Sequence, residues 1–512
     1  GLDDLIVGAL YADPSSKLNA GKSYVVFGKQ DNTDVINLSA IAAGTGGFVI
    51  NGESAYDESG ISVSNAGDVN GDGLDDLIVG AYGNDQSNKS LAGRSYVIFG
   101  KQDNTNAIEL SAIAAGTSTD GFVINGESAS DYSGWSVSNA GDVNGDGLDD
   151  LIVGAYRSDL SSNSNAGKSY VVFGKQGNTN AIELSAIAAG TSTDGFVING
   201  ESADDWSGYS VSSAGDVNGD GLDDLIVGAM YADPNGNSSG KSYIVFGKAN
   251  NNAINLSDIA NASDPTGGFV INGEVVDDRS GFSISSVGDV NGDGLDDLII
   301  GAVHADANGG SNAGKSYVVF GKQDNTAINL SAIATGTGGF VINGESANDY
   351  SGRTVSSAGD VNGDGLDDLI VGAYGNDQSN KSLAGRSYVV FGKQNNTDAI
   401  NLSAIATGTG GFIINGESAS DYSGWSVSSA GDVNGDGLDD LIVGAWGADP
   451  GGKTNAGKSY VIFGKTDTDA VDLSKLGDES KYTIDYLGNK DDNTLTSTTT
   501  NKNEIFVAGA GN

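Results

Sequence analysis

The nonapeptide Asp68-Val69-Asn70-Gly71-Asp72-Gly73-Leu74-Asp75-Asp76 recurs letter for letter at Asp142, Asp216, Asp289, Asp360 and Asp432, at spacings of 74, 74, 73, 71 and 72 residues. A seventh copy is cut. Gly1-Leu2-Asp3-Asp4 is its tail, leading into Leu5-Ile6-Val7-Gly8-Ala9 as Asp76 leads into Leu77-Ile78-Val79-Gly80-Ala81. A chain of 512 residues would ordinarily be divided into about three or four domains, but a repeat of this length makes residues 1–512 a single array of seven units.

Either side of the nonapeptide the pattern is that of short strands. In the unit starting at Gly134, Trp135–Ser138 alternates with period two, and Asp150–Ala155 is a continuous apolar run suited to burial on both faces. Ser169–Gly174 and Gly195–Asn199 complete a set of four strands, all too short for helices. The stretch Ile182–Ile187 between the last two reads equally as a helical turn or a loop. Four strands with no room for crossover helices predict an antiparallel meander, and a small meander needs neighbours to cover its faces. The expectation is an all-β, seven-bladed propeller with four antiparallel strands per blade.

The first blade lacks its first strand. After the last fourth strand, Tyr482–Tyr486, the chain continues, and Ile505–Asn512 aligns with Trp425–Asp432. The tail 487–512 is therefore expected to close the ring with a C-terminal strand beside Leu5–Ala9, the alternative being a free tail.

In the nonapeptide, side-chain oxygens at positions 1, 3, 5 and 9 and the carbonyl at position 7 can converge on one cation, as in the first half of an EF-hand loop. The candidate ligand sets are Asp68, Asn70, Asp72, Leu74 and Asp76; Asp142, Asn144, Asp146, Leu148 and Asp150; and Asp216, Asn218, Asp220, Leu222 and Asp224. The other three are Asp289, Asn291, Asp293, Leu295 and Asp297; Asp360, Asn362, Asp364, Leu366 and Asp368; and Asp432, Asn434, Asp436, Leu438 and Asp440. Oxygen-only ligation from five protein groups favours Ca2+ over Mg2+, which keeps more of its water, so about six calcium sites with a structural role are expected. The eighth-position residue, Asp75, is expected to point outward. The alternative, plain Gly/Asp turns, would leave each loop with four Asp repelling one another.

Composition agrees. The chain carries 68 acidic against 25 basic residues, a formal charge of −43, which argues against nucleic acid and anionic membrane partners. With no Cys and a single His, His304, thiol and most imidazole chemistry is absent, and His304 reads as a solvated loop residue. No stretch reads as a signal peptide or a membrane span.

The run Ser133-Gly134-Trp135-Ser136-Val137, then Asp142 to Asp150, then Leu151-Ile152-Val153-Gly154-Ala155 resembles the FG-GAP repeat of integrin α-subunits. The resemblance covers nearly the whole chain. It implies the seven-bladed propeller of those subunits and of bacterial secreted or surface proteins, with calcium in the loops between first and second strands, and hence an extracellular or cell-surface location. Two departures stand out: Ser133 and its equivalents replace the Phe of "FG", and Tyr156 and its equivalents replace the Pro of "GAP", so integrin ligand specificity does not transfer. The identical stretches Ala81–Val97 and Ala373–Val389 point to recent duplication. Gly509–Asn512 also resembles half of an RTX-type calcium nonapeptide, a weaker match than the closing strand.

The meander puts the metal loops on one face and the other connections on the opposite one. That opposite face collects Tyr11, Tyr82, Tyr156, Tyr231, His304, Tyr374 and Trp446 with Tyr56, Tyr132, Trp206, Tyr350 and Tyr422. These aromatics serve either inter-blade packing or a protein or carbohydrate partner. The recurring Glu of Asn-Gly-Glu, such as Glu127, reads as turn chemistry. The expected function is a binding module for adhesion rather than an enzyme. The alternatives are a structural unit of a surface layer or filament and, last, a polysaccharide-acting hydrolase.

Overall fold

The computed structural model describes residues 1–476 apart from 31–34, 87–88, 103–104, 161–162, 178, 262–266, 379–380 and 395–396. Its sheets form seven blades of an all-β propeller, one per repeat. In the third blade the strands Ser136–Gly141, Asp150–Ala155, Lys168–Val172 and Gly195–Asn199 pair antiparallel in chain order. The first strands of successive blades pack on one another, so they are innermost. They are also stitched together: the Ser62 hydroxyl accepts the Val137 N–H at 3.1 Å, and Ser136 does the same for Val211 at 3.1 Å.

The continuous apolar second strand is explained by burial on both sides. Leu151 and Val153 face Ile78, Val97 and Ile124 of the preceding blade, while Ile152 faces Val211, Leu225 and Val227 of the next. Each of these aliphatic side chains contributes on the order of 2 kcal/mol when taken out of water. Gly154 interrupts the run because the next blade comes closest there. A Cβ on it would fall on the carbonyl oxygen of Gly208.

The ambiguous segment between third and fourth strands resolves into two elements. Ile182–Glu183 is a two-residue strand, followed by the single helical turn Leu184–Ala188, whose Leu184 and Ile187 are buried. The short strand does not join its own blade. It pairs parallel with Gly121–Asn125, the outer strand of the preceding blade, through Ile182 opposite Ile124. Blades two to six thus keep the four antiparallel strands expected of each and gain a fifth, parallel one, because an exposed outer strand needs its polar edge covered and the next blade lends the cover.

The two end blades differ. The first has three strands of its own plus a borrowed one, and the seventh shows three among the described residues. The expected last strand, Tyr482–Tyr486, and the expected closing strand within 487–512 lie outside the described residues. The ring is nevertheless joined at residues that are described: the Asp432 N–H donates to the Asp3 carboxylate at 2.8 Å, and the Lys29 N–H donates to the Val433 carbonyl at 3.0 Å. Among the described residues the first repeat's counterpart of the borrowed strand has no strand beside it, with Ile36 at 42% exposure and Leu38 at 37%, where Ile108 is at 3%.

Candidate functional site

Every nonapeptide sits in the connection between first and second strands, at one end of the blades. Its turn depends on glycine; Gly147 has φ +87°, a conformation an L side chain rarely adopts. In the loop Asp142–Asp150 the first carboxylate holds the turn, Oδ1 accepting N–H bonds from Gly145 and Asp146 at 2.7 and 3.0 Å and Oδ2 one from Gly147 at 2.8 Å. Asp146 Oδ1 accepts the Leu148 N–H at 3.0 Å. The ninth-position Asp150 is fully buried, takes N–H bonds from Val143 and Gly174, and is met by the Asn144 amide at 3.2 Å. The other five loops repeat the arrangement; Asp76 Oδ1, for example, accepts the Gly100 N–H at 2.9 Å.

These buried ninth carboxyls titrate abnormally. Burial pushes Asp150 and Asp224 up to about 8, Asp76, Asp297 and Asp368 to about 7, and Asp440 to about 6. Bonds from backbone N–H groups oppose the shift, while the charges at the loop's first and fifth positions, such as Asp142 and Asp146, reinforce it. Among the described residues no three His, Cys, Asp or Glu side chains are drawn together closely enough to hold a metal as they stand. The carboxylates of positions 1 and 5 are turned onto backbone N–H groups of their own loop instead. The donor set itself, oxygen only with two carboxylates crowding a buried third, fits a hard divalent cation.

Asp75 itself is exposed, as expected, but the eighth position of later loops reaches the preceding blade. Asp149 Oδ2 accepts the N–H of Asp68, the first residue of the preceding loop, at 2.8 Å; Asp223 does so for Asp142 at 2.8 Å and Asp296 for Asp216 at 2.9 Å. The doubled Asp thus divides its labour, one carboxylate turned into its own loop and the other to the neighbour's. Asp3 and Asp4 of the cut copy behave alike, binding Asp432 and the Gly28 N–H respectively. The doubling itself was the available signal, since an EF-hand-like half-loop uses only the second of the pair.

The recurring Glu also does more than shape a turn. Glu127 follows the outer strand of the second blade and reaches into the third, where its Oε2 pairs with Lys168 at 2.5 Å and accepts the hydroxyl of fully buried Tyr170. The same bridge links Glu201 to Lys241 and Tyr243, and Glu345 to Arg386 and Tyr388. Nearby, burial pushes the Asp131 carboxyl up to about 6.

On the face opposite the loops the aromatic residues form a continuous train across blade borders. Tyr82 meets Trp135 edge-on at 5.0 Å, Trp135 lies 5.6 Å from Tyr209, and Tyr209 lies 5.3 Å from Phe282. Tyr156 is buried within it, which is packing, whereas Tyr11, Tyr56 and Trp446 are 65%, 58% and 44% exposed. Trp135 and Tyr209 immediately precede inner strands and Phe282 lies within one; the sequence shows Trp135 only as a position in an alternating strand, with no sign of the rings it meets in the next blade. His304 is half-buried, with Nδ1 3.0 Å from the side-chain Oδ1 of Asn312 and burial lowering its pKa.

A family model described as the FG-GAP repeat matches residues 59–98, 133–172, 207–245, 280–319, 351–390 and 423–462, each running from the start of a first strand through the third. Among curated proteins the chain is similar to integrin alpha pat-2 of Caenorhabditis elegans, 30% identical over 245 residues, covering 47% of this chain and 18% of that protein. It is similar to integrin alpha-PS2 of Drosophila melanogaster, 30% identical over 190 residues, covering 36% and 12%. Integrin alpha-5 of Xenopus laevis is 27% identical over 251 residues, covering 48% and 20%. The matches thus span a fifth or less of those relatives' own length. No helix among the described residues is long and apolar enough to cross a membrane.

Proposed function

This chain is an FG-GAP repeat β-propeller, and from that we propose that it is a calcium-pinned binding module of the adhesion class, working at the cell surface or outside the cell. The observation that carries the calcium reading is the buried ninth carboxyl of each loop, desolvated, crowded by the loop's own charges and in no ion pair among the described residues. Residues 1, 3, 5 and 9 of each loop and the carbonyl of residue 7 would hold the ion. The ion supplies fixed positive charge where carboxylates crowd, and six would offset twelve of the 43 surplus negative charges. The role is structural, because the loops also tie neighbouring blades through their eighth-position Asp.

Ligand recognition belongs to the opposite face, where aromatic rings and polar loops lie together and the blades differ most. The outer location and the adhesion class follow the integrin α relatives. We assign no catalytic role, since the recurring carboxylate pairs are accounted for by the loops and the blade ties.

Calorimetric titration of chelator-stripped protein with calcium, with melting curves of both forms, tests this. The expected result is about six sites, each stabilising the fold by about 2.7 kcal/mol at a hundred times its Kd. Absence of binding, or an unchanged melting curve, would overturn the calcium reading.

A further inference from the structure

The chain holds five arginines. Two of them, Arg94 and Arg386, are paired with Glu53 and Glu345 in the inter-blade bridges. The other three, Arg157, Arg279 and Arg353, make no ion pair among the described residues, although the protein carries 68 carboxylates. All three lie half-buried on the aromatic face. Arg157 sits 4.8 Å over the Tyr132 ring and 5.5 Å over Trp206, Arg279 5.1 Å over Tyr231, and Arg353 3.9 Å over Trp425 and 4.9 Å over Phe282. The Nε groups of Arg157 and Arg279 are buried and have no acceptor. Burial also lowers the Arg353 pKa, with only aromatic hydroxyls opposing the shift.

Duplication does not account for them. Arg157 stands where other blades have Tyr, Gly or His, Arg279 where they have Glu, Tyr or Trp, and Arg353 where they have Ile, Trp, Tyr or Phe. Three unrelated positions of the repeat have each acquired one guanidinium, and all three side chains meet one train of rings. Tyr209 joins them, 5.3 Å from both Tyr156, beneath Arg157, and Phe282, beneath Arg353. A guanidinium stacked on a ring keeps its N–H edge free for a planar anion, while the ring offers a flat apolar surface beside it.

We propose that this face binds a sugar bearing a single carboxylate, with Arg157 and Arg279, which lie over the touching rings of Trp206 and Tyr231, holding the acid group and the Trp206 ring forming the platform. The proposal rests on the binding-module reading above and supplies its ligand class. Charge argues for one carboxylate and against a polyanion or an acidic protein, which a chain of net charge −43 repels at long range. The cleft beside Arg279, of about 420 Å³, points the same way, because its walls carry His304 and Lys315 but also Asp277, Asp278 and Asp306. It has room for a small polar ring and opposes a second negative charge.

All four tryptophans of the chain, Trp135, Trp206, Trp425 and Trp446, stand on this face, so intrinsic fluorescence reports it directly. The test titrates the calcium-loaded protein with methyl β-D-glucuronide and with methyl β-D-glucoside, which differ only in the carboxylate, and repeats both with Arg157→Gln and Arg279→Gln. The expected result is a tryptophan signal with the glucuronide at least about tenfold tighter than with the glucoside, a margin of about 1.4 kcal/mol. Both variants should lose that margin while keeping the wild-type melting temperature. Equal affinity for the two sugars would overturn the acid-group assignment and leave a sugar-binding module standing. Binding of an aspartate-rich peptide in place of either sugar, abolished by the same variants, would overturn the sugar class and leave the binding face. No response to any of the three probes would overturn the inference, while the calcium titration would still judge the module.

Discussion

Asp149 and Asp150 are neighbours in the chain and do opposite things. Asp149 leans to the preceding blade and accepts the Asp68 N–H, while Asp150 turns inward under its own loop. Replacing Asp149 with Ala should cost about 1 kcal/mol at that junction and lower the unfolding midpoint, yet leave the number of calcium ions bound unchanged. Replacing Asp150 with Asn should remove one ion from the calorimetric stoichiometry. Equal loss of calcium in both would show that the division of labour is wrong. The ninth-position residues could be read from the nonapeptide because an EF-hand-like spacing assigns them. The eighth could not, since its partner lies 81 residues away in sequence and only the ring brings it near.

The strand pattern was readable for the same reason that the blades pack. A run such as Leu151 to Val153 is apolar throughout because both its sides are covered, and that needs no knowledge of which blade covers them. Ile182–Glu183 was not readable. Two residues carry no periodicity, and their partner strand Gly121–Asn125 belongs to another repeat. Glu127 was hidden likewise, as its turn accounts for it locally while its cation and its tyrosine lie in the next blade. Glu127→Gln should therefore destabilise by about 1–3 kcal/mol, from leaving the buried Tyr170 hydroxyl and Lys168 poorly matched. Chemical denaturation would check it, and a change below about 0.5 kcal/mol would mean the bridge is ornamental.

For the whole ring, the buried carboxyls set the response to pH. Asp57, Asp131, Asp278 and Asp349 are pushed up to about 6 and Asp205 to about 7, all chiefly by burial, from an ordinary value near 4. The folded state holds these protons more tightly than the unfolded chain, so their contribution to stability is fully present below about pH 4 and is lost as pH rises to about 7. Chelated protein should accordingly melt at a higher temperature at pH 5 than at pH 8. Calcium should narrow that gap by stabilising the ionised ninth-position carboxylates, and melting curves at the two pH values with and without the ion would measure it. The borrowed outer strand has a consequence of another kind. Each repeat offers a short tab to the unit behind it and receives one from the unit ahead, so every internal junction is the same joint with the same polarity. A recombination that slips by whole repeats, such as the identical stretches 81–97 and 373–389, four repeats apart, invite, adds or removes units without requiring any new joint, which makes the blade count itself heritable variation that selection can act on.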